Sequence, residues 1–409
     1  MIYIPRNIET VLQDRLASFP SVVVSGPRQS GKSTLLTHTL PDYAYLSLDD
    51  PLTRERALSD PRFFLDTAGK KVVIDEIQQA PQLLSYVKMN IDLRRDQRGI
   101  YVFTGSQQFT LIRDLSDSLA GRIALLDLLP FSVSERSKAL GSRTPLQDFI
   151  DAGLRGSYPE LVLSPTLDPS AWYGSYIQTY LERDVRSLHN IGNLRDFQRF
   201  IQLLAARCAQ VLNLSDFSRD LGVSVPTVKS LLSVLEAGRI IYLLPPYHSN
   251  LGKRITKAPK LYFFDIGLVC YLTGIKDEDH LLKGPLSGAL FENFCVQETV
   301  KMFFHQGRRP NLYFLRTQNQ LEVDLLIEES FQTLIPVEFN MTKTPHPAMG
   351  AAIGRFRKLF AGWNIKPGMI VSLVDQSVPL SDLLSATTLP DYLSAIGGLN
   401  SGEFRGQYT

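Results

Sequence analysis

The sequence predicts a multidomain α/β protein, and three observations carry that reading. Short apolar strands alternate with helical stretches over the first 135 residues. A glycine-rich turn, GPRQSGKS, sits where one strand passes into a helix. After it the pattern turns helical, passes through a helix-turn-helix with two strands, and ends in a helix followed by further strands. At ~100–200 residues per domain, a chain of 409 residues holds two to four domains.

The strands of the first part are SVVVSG (21–26), YAYLSLDD (43–50), KVVIDE (71–76) and IYVFTGS (100–106), with IALLDLLP further on. A helix starts at Lys32 and another covers PQLLSYVKMNIDLRR. Strands alternating with helices predict a parallel sheet covered on both faces, and strands without polar alternation fit such a sheet. Residues 136–212 carry apolar side chains at three- and four-residue spacing, as helices do. Residues 213–274 read as helix, turn, helix, strand, strand: Gly222 marks the turn, Ser224 caps the second helix, Gly238 stops it, and KLYFFD (260–265) pairs with RIIYLL (239–244). That is the outline of a winged helix-turn-helix. KDEDHLLKGPLSG reads as a linker, and residues 275–395 form a third, α/β domain with helix FENFCVQETVKMFF and strands NLYFLR, LEVDLLIEE and TLIPVEFN. Residues 396–409 are expected to be a frayed tail.

Composition excludes several classes. With 44% apolar and 21% charged residues the chain is of ordinary globular type, and a net charge of +2 excludes attachment to nucleic acid by bulk charge alone. Cys208, Cys270 and Cys295 form no C-x-x-C pair, which excludes a disulfide framework and fits a reducing, cytoplasmic compartment. The charged N-terminus lacks an apolar secretory core, and no apolar run reaches the ~20 residues of a membrane span.

Gly26, Pro27, Arg28, Gln29, Ser30, Gly31, Lys32 and Ser33 match G-x-x-x-x-G-K-S/T at every fixed position, and Thr34 follows in the helix. The glycines let successive N–H groups turn toward a phosphate, and the helix N-terminus adds partial positive charge. Lys32 would reach the β- and γ-phosphates and the Ser33 hydroxyl would hold Mg²⁺. In VVIDEI, Asp75 ends a buried strand where a parallel sheet presents ligands. It would order the metal, and Glu76 would orient and deprotonate the attacking water. Thr104 or Ser106 is placed to sense the γ-phosphate, or simply forms a turn. For an arginine that completes the site on closure, Arg122 is the first candidate, followed by Arg155 and Arg183; the alternative for Arg122 is a surface role or a pair with Asp127.

With these motifs in hand, the chain resembles the prokaryotic AAA-type ATPases that carry a C-terminal domain of unknown function. GPRQSGKSTLL, VVIDEIQQAP, FTGSQ, SLAGR and LPFS appear in that order, followed by GSYPE (156–160), YIQTYLERDV (176–185), VPTVKSLLSVLE (225–236), PKLYFFDIGL (259–268), GALFENF (288–294) and LEVDLLIE (321–328). The resemblance implies a RecA-like P-loop NTPase core over residues 1–135, a helical lid, a winged helix and a restriction-endonuclease-like terminal domain, using ATP and Mg²⁺.

Two surfaces could meet nucleic acid. The second helix of the winged unit offers Lys229, and the stretch HSNLGKRITKAPK offers Lys253, Arg254, Lys257 and Lys260 with no acid between; the alternative is a wing docked on its own core or on a neighbour. In the terminal domain Glu322 and Asp324 share one face of a strand, Glu338 lies on the next strand, and Glu292 lies on the preceding helix. Nucleases of the resembled fold hold Mg²⁺ on such carboxylates with a Glu-x-Lys. Here Asn340 stands at the lysine position, which predicts a degenerate nuclease fold unless Lys343 substitutes. The combined expectation is an Mg²⁺-dependent ATPase acting on DNA or a DNA-bound partner, with homo-oligomers and no membrane. The competing reading is a slow nucleotide switch or scaffold acting on a protein partner in defence or signalling, and an ATP-gated nuclease is a third.

Overall fold

The computed structural model describes residues 2–105, 119–180, 194–247, 258–317 and 320–399. Its first part holds α1 (Glu9–Ser18), β1 (Ser21–Ser25), α2 (Lys32–Thr39), β2 (Ala44–Ser47), α3 (Pro51–Ser59), α4 (Pro61–Thr67), β3 (Val72–Asp75), α5 (Leu83–Leu93), β4 (Tyr101–Gly105) and β5 (Ile123–Asp127). The five strands form an all-parallel sheet in the order β2-β3-β4-β1-β5. Alternate residues of each strand face opposite sides. Val23, Ile74 and Phe103 therefore pack under α5, while Val22, Val24, Val73 and Val102 pack against α1 and α2. The doubly covered parallel sheet is the one the apolar strands predict.

The helical part comprises α6 (Val133–Leu140), α7 (Pro145–Leu154), α8 (Pro159–Leu163), α9 (Pro169–Tyr180) and α10 (Leu194–Ala206). Capping boxes start α6 (Ser132 with Glu135) and α7 (Thr144 with Gln147), each satisfying N–H groups that a helix start leaves open. The helix-turn-helix is α11 (Leu214–Leu221) and α12 (Val225–Ala237). Gly222 takes the left-handed turn at φ 71°, Ser224 accepts from the Thr227 N–H, and Gly238 ends α12. β6 (Ile241–Leu244) and β7 (Lys260–Phe263) then pair antiparallel, with Tyr242 opposite Tyr262.

This hairpin is not free. Pro246 bridges to Phe314, and the Tyr247 N–H donates to the Phe314 carbonyl at 2.7 Å, so the chain leaving β6 runs along the terminal sheet. The stretch expected to be a linker contains α14 (Glu278–Lys283), which follows α13 (Ile266–Thr273). Its Leu281 is fully buried beside Gly153 and Cys270, so an apolar side chain in a polar run made this a packed helix.

The terminal part consists of α15 (Ser287–His305), β8 (Leu312–Arg316), β9 (Glu322–Ser330), β10 (Thr333–Asn340), α16 (Ala351–Leu359), β11 (Asn364–Ile365), β12 (Gly368–Ser372), β13 (Val378–Ser381), β14 (Leu384–Thr387) and α17 (Leu389–Gly397). Its seven strands make a mixed sheet in the order β13-β14-β12-β10-β9-β8, with β11 beside β10. One hydrophobic core runs from Leu129 through the helical part and the helix-turn-helix to Ile396. The expected boundaries near 212 and 274 therefore do not coincide with breaks in packing. Cys208, Cys270 and Cys295 are buried in that core. Trp172 stacks on Tyr176 at 5.1 Å within α9.

Candidate nucleotide site and acidic cluster

The C-terminal ends of β1, β3 and β4 bring the sequence motifs together. Gly26 leaves β1 with φ 143°, and a Cβ there would lie 2.1 Å from the Leu128 carbonyl oxygen, so no larger residue fits. Gly31 (φ 92°) turns the chain into α2. Lys32 is buried, and its Nζ donates to the carbonyls of Gly26 (3.0 Å) and Pro27 (2.9 Å), which aims the ammonium back over the loop. The Ser33 hydroxyl lies 3.4 Å from the Asp75 carboxylate. A loop with a central ammonium, the start of a helix, and a hydroxyl next to a carboxylate match the chemistry of a nucleotide triphosphate with Mg²⁺.

Thr104 lies at the end of β4, where its buried hydroxyl donates to Asp75 and accepts from the Glu76 N–H at 3.2 Å. It orients the two acids. Glu76 sits in the left-handed region at φ 56°, where the chain breaks sharply from β3, and Gln78 donates to its carboxylate. Tyr45, which sequence reasoning missed, packs beside Ser33 and Asp75; burial above all raises its phenol above the ordinary range. Ser106 and Arg183 lie outside the described residues.

Two of the candidate arginines are engaged elsewhere in this chain. Arg122 precedes β5 at the opposite edge of the sheet from the glycine-rich loop, because Ser21 pairs with Ile123 while Ser25 pairs with Asp127. Its guanidinium binds Asp92 through both oxygens, at 2.9 and 3.2 Å, so it does not reach this chain's own nucleotide loop. Arg155 donates to the carbonyls of Leu161, Ser164 and Leu167 and holds a loop together. Asp127, the alternative partner weighed for Arg122, instead pairs with Arg239 at 2.8 Å, joining the end of α12 to the core.

The acidic residues of the terminal domain also converge, around a cation that sequence reasoning had placed elsewhere. Lys260, expected to face DNA, has a side chain 4% exposed. Its Nζ lies 2.9 Å from Glu292, 2.7 Å from Glu322 and 3.7 Å from Asp324. β7 is buried along its whole length, so a lysine there must find anions inside. That apolar context, PKLYFFD, was the signal available in the sequence. Lys343 is exposed, and Lys260 is the cation in the cluster. Tyr262 donates to Glu292 at 2.6 Å. The Phe339 N–H donates to Asp324 at 3.0 Å, and the Glu338 Oε1 is buried without a hydrogen-bond partner.

Charge in this cluster is unbalanced, and the carboxyls respond. Burial, then the Asp324 charge, push Glu292 up to about 7 despite Lys260. Burial and Asp324 hold Glu338 well above the usual carboxylate range. For Lys260, burial favours the neutral form but is outweighed by Glu292, Asp324 and Glu322, which raise it and keep it protonated. Lys229 is exposed on α12, while Lys253, Arg254 and Lys257 lie outside the described residues.

Three stretches of the chain are similar to known families. Residues 18–137 match an AAA domain, residues 146–279 a domain of unknown function (DUF8612), and residues 287–392 a second domain of unknown function (DUF4143). The chain thus joins a stretch that matches an AAA domain to a C-terminal stretch that matches DUF4143. It is similar to an uncharacterized protein of Mycobacterium bovis and to one of Mycobacterium tuberculosis, each 28% identical over 393 residues, 95% of this chain and 84% of theirs. Among solved structures, a Walker-type ATPase of Pyrococcus abyssi matches at 15% identity and TM-score 0.42, over 65% of this chain and 94% of that one. A RuvB of Thermotoga maritima matches at 17% identity and TM-score 0.31, over 58% of this chain and 89% of that one. No helix among the described residues is long and apolar enough to cross a membrane.

Proposed function

We propose that the protein is an Mg²⁺-dependent ATPase whose cycle shifts the block from Leu129 onward against the P-loop core, and that it acts on DNA or on a DNA-bound partner. The observation that carries the enzymatic part is the convergence of Lys32, Ser33, Asp75 and Glu76 at one end of the parallel sheet. Lys32 exchanges the Gly26 and Pro27 carbonyls for β- and γ-phosphate oxygens. Ser33 and Asp75 would hold Mg²⁺, which offsets phosphate charge as it develops in transfer. Glu76 orients the attacking water and accepts its proton, with Thr104 fixing the backbone beneath it.

The helix-turn-helix and its hairpin are read as a winged helix, with Lys229 and the Lys253–Lys257 stretch as its DNA contacts. The carboxylates Glu292, Asp324 and Glu338 are read as a nuclease-like site that has lost its own strand lysine. A second copy of the chain would complete the nucleotide site, with Arg122 released from Asp92 as the residue it offers. The burial of Lys260 favours a second reading, a slow switch acting on a protein partner, because it removes one of the five candidate cations from the DNA surface. Steady-state ATP turnover with and without duplex DNA, at two salt concentrations and with Lys32→Ala as blank, separates the two. A salt-sensitive rise with DNA supports the first. A low rate abolished by Lys32→Ala but indifferent to DNA supports the second.

A further inference from the structure

The segment before the AAA-domain match sends one side chain into the nucleotide loop. Arg6 is 3% exposed, and its guanidinium uses its donors on three partners. Nη1 donates to the Ser30 carbonyl at 2.8 Å, Nη2 to the Leu129 carbonyl at 2.7 Å, and Nε to Glu135 Oε1 at 3.0 Å. The group also lies over the Phe131 ring, 4.7 Å from its centroid. Glu135, fully buried, is fixed in turn by the N–H groups of Asn7 (2.7 Å) and Ser132 (2.8 Å).

A phosphate loop works by turning its N–H groups toward the ligand, which turns carbonyls outward into the protein. A buried carbonyl left without a donor is costly. In a planar trans peptide the C=O and the following N–H point in opposite directions. Holding the Ser30 oxygen on Arg6 therefore fixes the Gly31 N–H to the other side of that peptide. Gly31 packs closely enough that a Cβ there would lie 3.5 Å from Arg6 Nη1.

We propose that Arg6 is a positioning residue for nucleotide binding, setting the Ser30–Gly31 peptide of the phosphate loop while Glu135 sets Arg6. This rests on the P-loop reading given above. The loop that anchors the pair is also gripped by α15: Lys301 donates to the Phe131 carbonyl at 3.0 Å, and Glu298 accepts from the Val133 N–H at 2.7 Å. The nucleotide loop and the terminal domain therefore share one support, built from a residue that the AAA-domain match does not contain.

The test is the dissociation constant of a fluorescent ATP analogue with Mg²⁺ for the full chain and for Arg6→Lys, Glu135→Gln, Lys32→Ala and Leu281→Ala, together with the KM and kcat of turnover. Arg6→Lys keeps the buried charge but loses the fork that spans Ser30, Leu129 and Glu135. It is expected to weaken binding about tenfold, as the loss of a charge-assisted hydrogen bond does, and to raise KM more than it lowers kcat. Leu281→Ala, destabilised in the helical part away from the loop, should bind as the wild type does. Arg6→Lys binding within twofold of wild type overturns the inference, as does equal weakening by Leu281→Ala. If the wild type binds and Lys32→Ala does not, the P-loop reading stands whichever way Arg6→Lys falls. A wild type that binds no nucleotide removes both.

Discussion

Helix α15 touches two buried charge clusters that differ in one respect, the ratio of cations to acids. At its C-terminal half Glu298 pairs with Lys301 at 2.8 Å, and nearby Arg6 pairs with Glu135 at 3.0 Å, one cation to each acid. Two turns earlier, the buried Lys260 serves Glu292, Glu322 and Asp324, with Arg316 3.6 Å from Glu322 at the exposed side and Glu338 beside them, so that among the described residues acids outnumber cations. Glu292 and Glu298 are six residues apart, a rise of about 9 Å along the helix. In the balanced cluster burial would raise Glu135, but Arg6 and the groups around it outweigh burial and hold its carboxyl down at about 2. In the unbalanced cluster burial wins, and Glu292 rises to about 7. The same helix thus carries a settled electrostatic joint toward the nucleotide loop and a strained acidic pocket away from it. A joint transmits position. A strained pocket answers to whatever cation or proton reaches it.

Removing the buried cation should separate the two most strongly. Lys260→Met leaves buried acids uncompensated, and its unfolding free energy at pH 7.5 should fall by ~3–5 kcal/mol. The loss should shrink at pH 5, where the acids take up protons; urea titrations at both pH values measure this. An equal loss at both would mean that Lys260 packs but does not neutralise.

The second contrast is in acid. His305 is buried 3.9 Å from Glu135, yet burial above all pushes its pKa down to about 4, so it is neutral and the two do not form an ion pair. Between pH 6.5 and 4 this side chain is then protonated in the unfolded chain and neutral in the folded one. The stability His305 contributes is full above pH 6.5 and is lost as pH falls through 4, by up to ~3 kcal/mol. His305→Asn should flatten this part of a stability-versus-pH curve, and an unchanged slope would remove His305 as its source.

Glu292 has the opposite sign. Its raised pKa means that the folded state holds a proton through pH 4.5 to 7 that the unfolded chain has released, so stability falls as pH rises through that window. Glu292→Gln should therefore gain on the wild type between pH 5 and pH 8, by ~2–3 kcal/mol. Thermal melts across that range would show the two curves converging or crossing, and parallel curves would place the strain elsewhere.

How much of this was legible in the sequence depended on how local the signal was. The glycine-rich loop and Asp75–Glu76 are contiguous motifs on strand ends, and the fold brings them together as their context predicts. Glu292, Asp324 and Glu338 were found because strand periodicity and a helix face restrict where side chains point. Lys260 was misplaced because a buried lysine and a solvated one read alike, and four basic residues in one stretch suggested a common surface. Arg6 and Glu135 are 129 residues apart, beyond any local pattern. The only trace of Glu135 was its place three residues after Ser132 in a capping box. The short strands β11 to β14 escaped because segments of 2 to 5 residues carry too little periodicity to stand out.

The central claim is that nucleotide at the P-loop is felt along α15. Hydrogen exchange of the α15 amides tests it most directly, comparing Glu76→Gln, which should bind ATP without turning it over, with Lys32→Ala. Adding ATP and Mg²⁺ should change protection around residues 298–305 in Glu76→Gln and leave Lys32→Ala unchanged. Identical exchange of that helix with and without nucleotide in Glu76→Gln, in protein shown to bind it, would contradict the account.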